Sequence, residues 1–179
     1  MSISLIAIDG LRHRRAVVQL HEEYLAWVYS GLERLLGLPG SAPCGLSVAD
    51  DIDSAVDKVY RDFSPHGAFY LIEVNGELAG MGGLRRLSDS TAEIKRLYVR
   101  PAHRGQQLGA MLLRRLLSDA QALGYKLVRL DSAPFMHAAH RLYTAQGFVD
   151  CPAYEGTEAP LALQSSWRFM EHPVRAPMS

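Results

Sequence analysis

Between Val99 and Gly109 the chain runs Val-Arg-Pro-Ala-His-Arg-Gly-Gln-Gln-Leu-Gly, a polar turn with two glycines that opens onto an apolar stripe. Leu108, Met111, Leu112, Leu116, Ala120 and Leu123 recur at three- and four-residue spacing, the period of a helix with one face buried. Gly124 follows, where a helix commonly stops in the left-handed conformation. A helix starting at Leu108 leaves the N–H groups of its first turn unpaired at the positive end of its macrodipole, so it can hold an anion. Taken alone, the turn is equally a plain strand-to-helix connection: no G-K-[ST] follows, and it is not G-x-G-x-x-G. Strand alternation before it puts Glu93, Lys95, Leu97 and Val99 on one face, which sets a carboxylate beside the approach to the turn. Covalent catalysis has no candidate nucleophile, because there is no G-x-S-x-G and neither Cys44 nor Cys151 falls near the turn. Two distant thiols suit a reduced compartment. Among seven histidines, His137 and His140 could supply half a ligand set, but no third ligand accompanies them, so no metal is expected.

These groups need a scaffold, and 179 residues suffice for one domain with a sizeable core. Hydrophobic content of 48% and charged content of 21% are those of an ordinary globular protein. Nineteen basic residues against nineteen acidic ones give no field to attract nucleic acid or an anionic membrane. With no secretory signal and no apolar run near the ~20 residues that span a bilayer, a cytoplasmic location is expected.

In chain order, Ile3–Ile8 reads as a strand and Leu11–Tyr29 as a helix, followed by loop from Gly31 to Ser47. Asp50–Phe63 reads as a second helix, with Asp50, Asp51 and Asp53 suiting its positive end. Phe69–Val74 and Glu77–Leu84 flank Asn75-Gly76, a hairpin turn, and Thr91–Val99 completes an antiparallel meander. Lys126–Asp131 follows the anion-site helix, so it should run parallel to Thr91–Val99. Phe135–Ala145 reads as a helix, and Phe148–Cys151 with Ser166–Glu171 as a closing hairpin. Residues 1–174 are expected to form a single domain and 175–179 a disordered tail.

Ala92–Pro101 followed by Arg104-Gly105-Gln106-Gln107-Leu108-Gly109 resembles the acetyl-CoA signature of the GNAT superfamily of N-acyltransferases, [R/Q]-x-x-G-x-[G/A]. Ala139–Phe148 is similar to that family's second motif, A-x-x-L-Y-x-x-x-G-F. The resemblance implies an α/β fold: a mixed, mostly antiparallel twisted sheet of six or seven strands with helices on both faces. It implies acetyl-CoA as co-substrate, with the pantetheine arm pairing against the main chain of Leu97, Tyr98 and Val99. The pyrophosphate would rest on Arg104, Gly105, Gln106, Gln107, Leu108, Gly109 and Ala110. Gln107 stands where the pattern has its first glycine, and Met136 where the family often has a cofactor-binding Asn.

The implied reaction is acetyl transfer to a primary amine of a small molecule by direct attack. Glu93 matches the general base of the family's histone-acetylating branch and would act through water, with a salt-bridge role as its plain alternative. Tyr143 matches the tyrosine whose hydroxyl lies near the thioester sulfur, and would protonate the departing thiolate. Main-chain N–H groups near Leu97–Val99 would receive the oxyanion. Arg85, Arg86 and Arg96 could grip a carboxylate on the acceptor or could be solvated sheet residues, and Tyr154 could close over the cleft. A homodimer is compatible with the resemblance. The rival of a different class is a non-catalytic module that binds acyl-CoA as a signal.

Overall fold

A computed structural model describes residues 1–37, 56–63 and 65–175. Its strands are β1 (Ile3–Ala7), β2 (Ala68–Val74), β3 (Glu77–Arg86), β4 (Thr91–Val99), β5 (Leu127–Ser132), β6 (Val149–Asp150) and β7 (Arg168–Pro173). They form one sheet in the order β1-β2-β3-β4-β5-β7-β6. Asn75 and Gly76 take positive φ of 51° and 83°, so the β2–β3 turn matches the twist of its strands. Every neighbouring pair is antiparallel except β4–β5. That pair is parallel because helix α2 (Leu108–Ala122) crosses between its strands. The closing hairpin forms with β7 inserted between β5 and β6, so β6 is an edge strand of two residues.

Helices cover both faces. Helix α1 (Arg14–Leu36) packs Val17 and Leu20 with Val56, Val59, Phe69 and Met81 on one side. On the other, Leu108, Leu112, Leu113 and Leu116 of α2 meet Ile72, Leu84, Ile94 and Val128. Helix α3 (His137–Ala145) adds Tyr143 to that second core. Residues 56–62 are helical, in keeping with the later part of the expected second helix. Asp50, Asp51, Asp53, Cys44 and the tail from Ala176 onward lie outside the described residues.

Two expectations need correction. The loop expected from Gly31 does not begin there, because α1 continues to Leu36 and ends on Gly37 at φ 64°, a left-handed cap. Gly31 reads as a helix breaker, yet it serves contact: a Cβ there would lie 2.3 Å from the Phe135 ring. The shared face of Glu93, Lys95, Leu97 and Val99 is also broken. Arg96 has φ 57°, and the β3–β4 register slips between Met81 and Gly83. The extra residue shifts the alternation by one, as a β-bulge does. Leu97 and Val99 therefore join Ile94 on the α2 side, while Tyr98 packs on the α1 side.

Candidate active site

Strands β4 and β5 pair only at Thr91↔Leu127, Ala92↔Val128 and Glu93↔Arg129. Beyond that last rung they part, and two residues further on each strand the Lys95 Nζ–Asp131 Oδ2 pair spans the gap at 2.8 Å. The parting leaves β4 from Lys95 to Val99 without a β5 partner, an edge open to another extended chain. It opens into a cleft of about 850 Å³. Trp27, Gly31, Arg34 and Leu35 of α1 form one wall, and Phe135 to Ala139 with Leu142 form the opposite one. The walls meet where the Phe135 ring packs on Gly31 and stands edge-on to Trp27 at 5.3 Å.

Of the residues expected to hold the cofactor, Leu97, Tyr98, Val99, Arg104, Gly105, Gln107, Leu108, Gly109 and Ala110 all line this cleft. Gln106 does not, and its Oε1 is buried without a partner among the described residues. The turn owes its shape to two left-handed residues, Gly105 at φ 81° and Gln107 at φ 58°. The second caps the N-terminus of α2, which explains why a glycine is favoured there; Gln107 accepts the strain. Gly109 allows close helix contact, since a Cβ would lie 3.3 Å from Leu142. The Arg104 guanidinium donates from Nε to the Val99 carbonyl at 3.1 Å and lies over the Trp27 ring at 5.2 Å, a fixed cation at the mouth of the turn. Met136, at the place of the family's Asn, also lines the cleft.

Glu93 and Tyr143 are both buried, and neither is among the lining residues. Glu93 is fully enclosed: Arg85 donates to Oε2 from Nε at 2.6 Å, and the Tyr154 hydroxyl donates to Oε1 at 2.7 Å. Burial pushes its carboxyl above the usual range, against the opposing pull of Lys95 and Arg85. Burial pushes the Tyr143 phenol up as well, helped by Tyr24 and Asp131, so it keeps its proton at neutral pH. Tyr143 makes no side-chain hydrogen bond to any described residue.

A buried ionic group surrounds Glu93. Burial opposes the Lys95 charge, but Asp131, Glu93 and Glu158 outweigh it and raise the ammonium above the usual lysine value. Asp131 also accepts from Thr157 Oγ1 at 2.9 Å and Trp167 Nε1 at 3.2 Å, which fastens the segment between β6 and β7 to β5. Glu158, from the same segment, contacts Lys58, Arg85 and Lys95. Those cations overcome the effect of burial and hold its carboxyl down at about 2.

The three arginines separate. Arg85 is committed to Glu93 and to the Gly156 carbonyl, Arg86 pairs with Asp89, and Arg96 has neither a hydrogen bond nor an ion pair to any described residue. Tyr154 is buried against Phe169 and Ala159, donates to Glu93, and is not among the residues that line the cleft. Sequence reasoning missed Tyr24, Trp27 and Phe135, which looked like ordinary core aromatics, and the Lys95–Asp131 pair, whose members lie far apart in the chain. His140 Nε2 lies 3.0 Å from Ser132 Oγ, and among the described residues no group of His, Cys, Asp or Glu side chains is arranged for a metal ion. No described helix is long and apolar enough to cross a membrane.

Comparison with known proteins agrees with this geometry. A family model described as the acetyltransferase (GNAT) family matches residues 41–148. The chain is 32% identical over 112 residues to a protein of Escherichia coli K12 named uncharacterized N-acetyltransferase YjgM. That match covers 60% of this chain and 65% of YjgM, under two thirds of its length. Among solved structures, the chain is similar to PaiA N-acetyltransferase from Thermoplasma acidophilum in complex with coenzyme A, with TM-score 0.69, 17% identity and coverage of 97% and 99%. It is similar also to spermidine N-acetyltransferase from Vibrio cholerae in complex with CoA and spermine, with TM-score 0.64, 18% identity and coverage of 96% and 95%.

Proposed function

Because this chain belongs to the GNAT family of acetyltransferases, we propose that it moves an acetyl group from acetyl-CoA to a primary amine of a small molecule by direct attack. One observation carries the reading: β4 and β5 separate beyond Glu93, and a cleft along the open edge of β4 runs from the two-glycine turn to Leu142, the residue before Tyr143. The pantetheine arm pairs with the open edge at Leu97–Val99, and the N–H groups of Arg104 to Ala110 receive the pyrophosphate. Arg104 supplies a counter-charge. Complexes of two fold relatives with CoA support an acyl-CoA ligand, and the spermine in one of them supports an amine acceptor. Residues 1–174 act as one domain in this reading, and the work is cytoplasmic.

In the reaction the neutral amine nitrogen attacks the thioester carbonyl carbon, and the oxyanion is met by main-chain N–H groups near Leu97–Val99. The C–S bond then breaks, and the thiolate takes the Tyr143 phenol proton. The proton lost by the amine passes through water to Glu93, whose raised pKa makes it a better base than an exposed carboxylate. Because both Glu93 oxygens are engaged, the relay must displace or run along the Tyr154 bond.

The test is thiol release from acetyl-CoA with a panel of amines, wild type against Tyr143→Phe. Loss of the general acid should lower kcat roughly 10²-fold while calorimetry finds coenzyme affinity nearly unchanged. Tight coenzyme binding without amine-dependent thiol release across the panel would instead support the acyl-CoA sensor.

A further inference from the structure

Arg96 sits at the one irregular point of β4, and its backbone is expensive to keep. A left-handed φ at a residue other than glycine is strained and persists where the surroundings require it. The bulge faces Gly82 of β3, between the pairs Met81↔Tyr98 and Gly83↔Lys95. It therefore lies at the point where β4 has left β5 and the cleft has opened.

The surroundings of the guanidinium come from three elements. Its charge acts on His21 and Tyr24 of α1, and on Glu158 of the segment between β6 and β7. Tyr24 in turn acts on Tyr143, the proposed proton donor. Yet it forms no hydrogen bond or ion pair with any described residue. Glu158 does not satisfy it, because its oxygens contact Lys58, Arg85 and Lys95. Every other cation in the group has a carboxylate: Arg85 holds Glu93, Lys95 holds Asp131, and Lys58 holds Glu158.

Among the described residues a second polar group also lacks a partner. His21 is fully buried, with Nδ1 3.1 Å from the Val17 carbonyl and Nε2 enclosed without a partner among the described residues. The Val17 contact assigns the proton to Nδ1, which leaves Nε2 a lone-pair acceptor. A half-buried guanidinium, all donor, with no acceptor among the described residues matches a ligand that carries an anionic group.

We propose that Arg96 is the anchor for a carboxylate on the acceptor, so that the substrates of this enzyme are amino acids, with the amine directed past Tyr24 to the thioester. This rests on the acetyl-transfer reading above. A planar carboxylate suits the guanidinium fork, and charge-assisted bonds of this kind discriminate by about 1.5–3 kcal/mol, or roughly ten- to 150-fold. The surrounding carboxylates are each already paired, so a further anion meets one positive charge with no counter-ion among the described residues.

The experiment measures kcat/KM for alanine, methionine, phenylalanine, glutamine, β-alanine and γ-aminobutyrate, each against its carboxamide. The amide has the less basic amine and is intrinsically favoured, so the comparison is biased against the proposal. Wild type should prefer at least one acid over its amide by tenfold or more. In Arg96→Asn that ratio should fall to near one; Asn tolerates the left-handed backbone, so the fold is kept. Arg96→Lys should restore part of the preference, since it returns the charge without the fork. No acid preferred in wild type, or acid and amide lowered equally in Arg96→Asn, overturns the proposal. If no panel member gives thiol release, calorimetry of the CoA-loaded protein with the same acids decides. Binding lost in Arg96→Asn upholds the subsite and counts against catalysis, and no binding rejects the subsite.

Discussion

At the scale of single residues, Glu93 shows how a plausible base can be held inside a structural network. Its raised pKa means that the carboxylate forms only as pH climbs past the usual carboxylate range. kcat/KM should therefore rise with pH through that value in wild type, and Glu93→Gln should lower the rate and flatten this limb while leaving coenzyme affinity almost unchanged. A pH–rate profile of unaltered shape would leave Glu93 only its bonds to Arg85 and Tyr154. Glu93 and Tyr143 were legible in the sequence because motif spacing marks them. Arg96 was legible only as one arginine among three, since what distinguishes it is the absence of a partner among the described residues, a property of the fold. Gln107 shows the opposite relation. The sequence revealed a departure from pattern, and the structure shows that the missing glycine concerns a left-handed backbone more than space.

Elements were legible wherever local periodicity decided them. The β2–β3 hairpin, the parallel step through α2 and the amphipathic stripe from Leu108 all follow from spacing. The bulge at Arg96 does not, because nothing in Ile94 to Val99 departs from strand composition; the slip is fixed by pairing with β3. The end of α1 escaped for a related reason. Gly31 lowers helix propensity, but packing against Phe135 more than compensates. Gly31→Ala tests that account. Ala improves the helix by about 1 kcal/mol, whereas forcing a methyl into the ring costs about 1–3 kcal/mol, so a net loss of roughly 1 kcal/mol is expected in urea unfolding. Coenzyme affinity should fall as Phe135 shifts in the cleft wall. A gain in stability with unchanged affinity would mean that the ring simply swings aside.

At the scale of the whole molecule, acid sensitivity should report the ionic group beneath the cleft. The Glu158 carboxyl is held at about 2 against an ordinary 4.5, so its contribution is complete above pH 4.5 and disappears as pH falls towards 2. Comparing Glu158→Gln with wild type by urea unfolding should give a difference of about 2–3 kcal/mol at pH 7 that shrinks across that window. A gap independent of pH would assign Glu158 a packing role instead. The walls of the cleft carry a further consequence. Trp27 and Phe135 stand far apart in sequence, yet their ring centroids lie 5.3 Å apart beside the space that would receive the coenzyme. A nascent polypeptide cannot join those two walls until the segment around Phe135 has been synthesised. The bound nucleotide would then act as a removable clasp between two distant portions of the polypeptide.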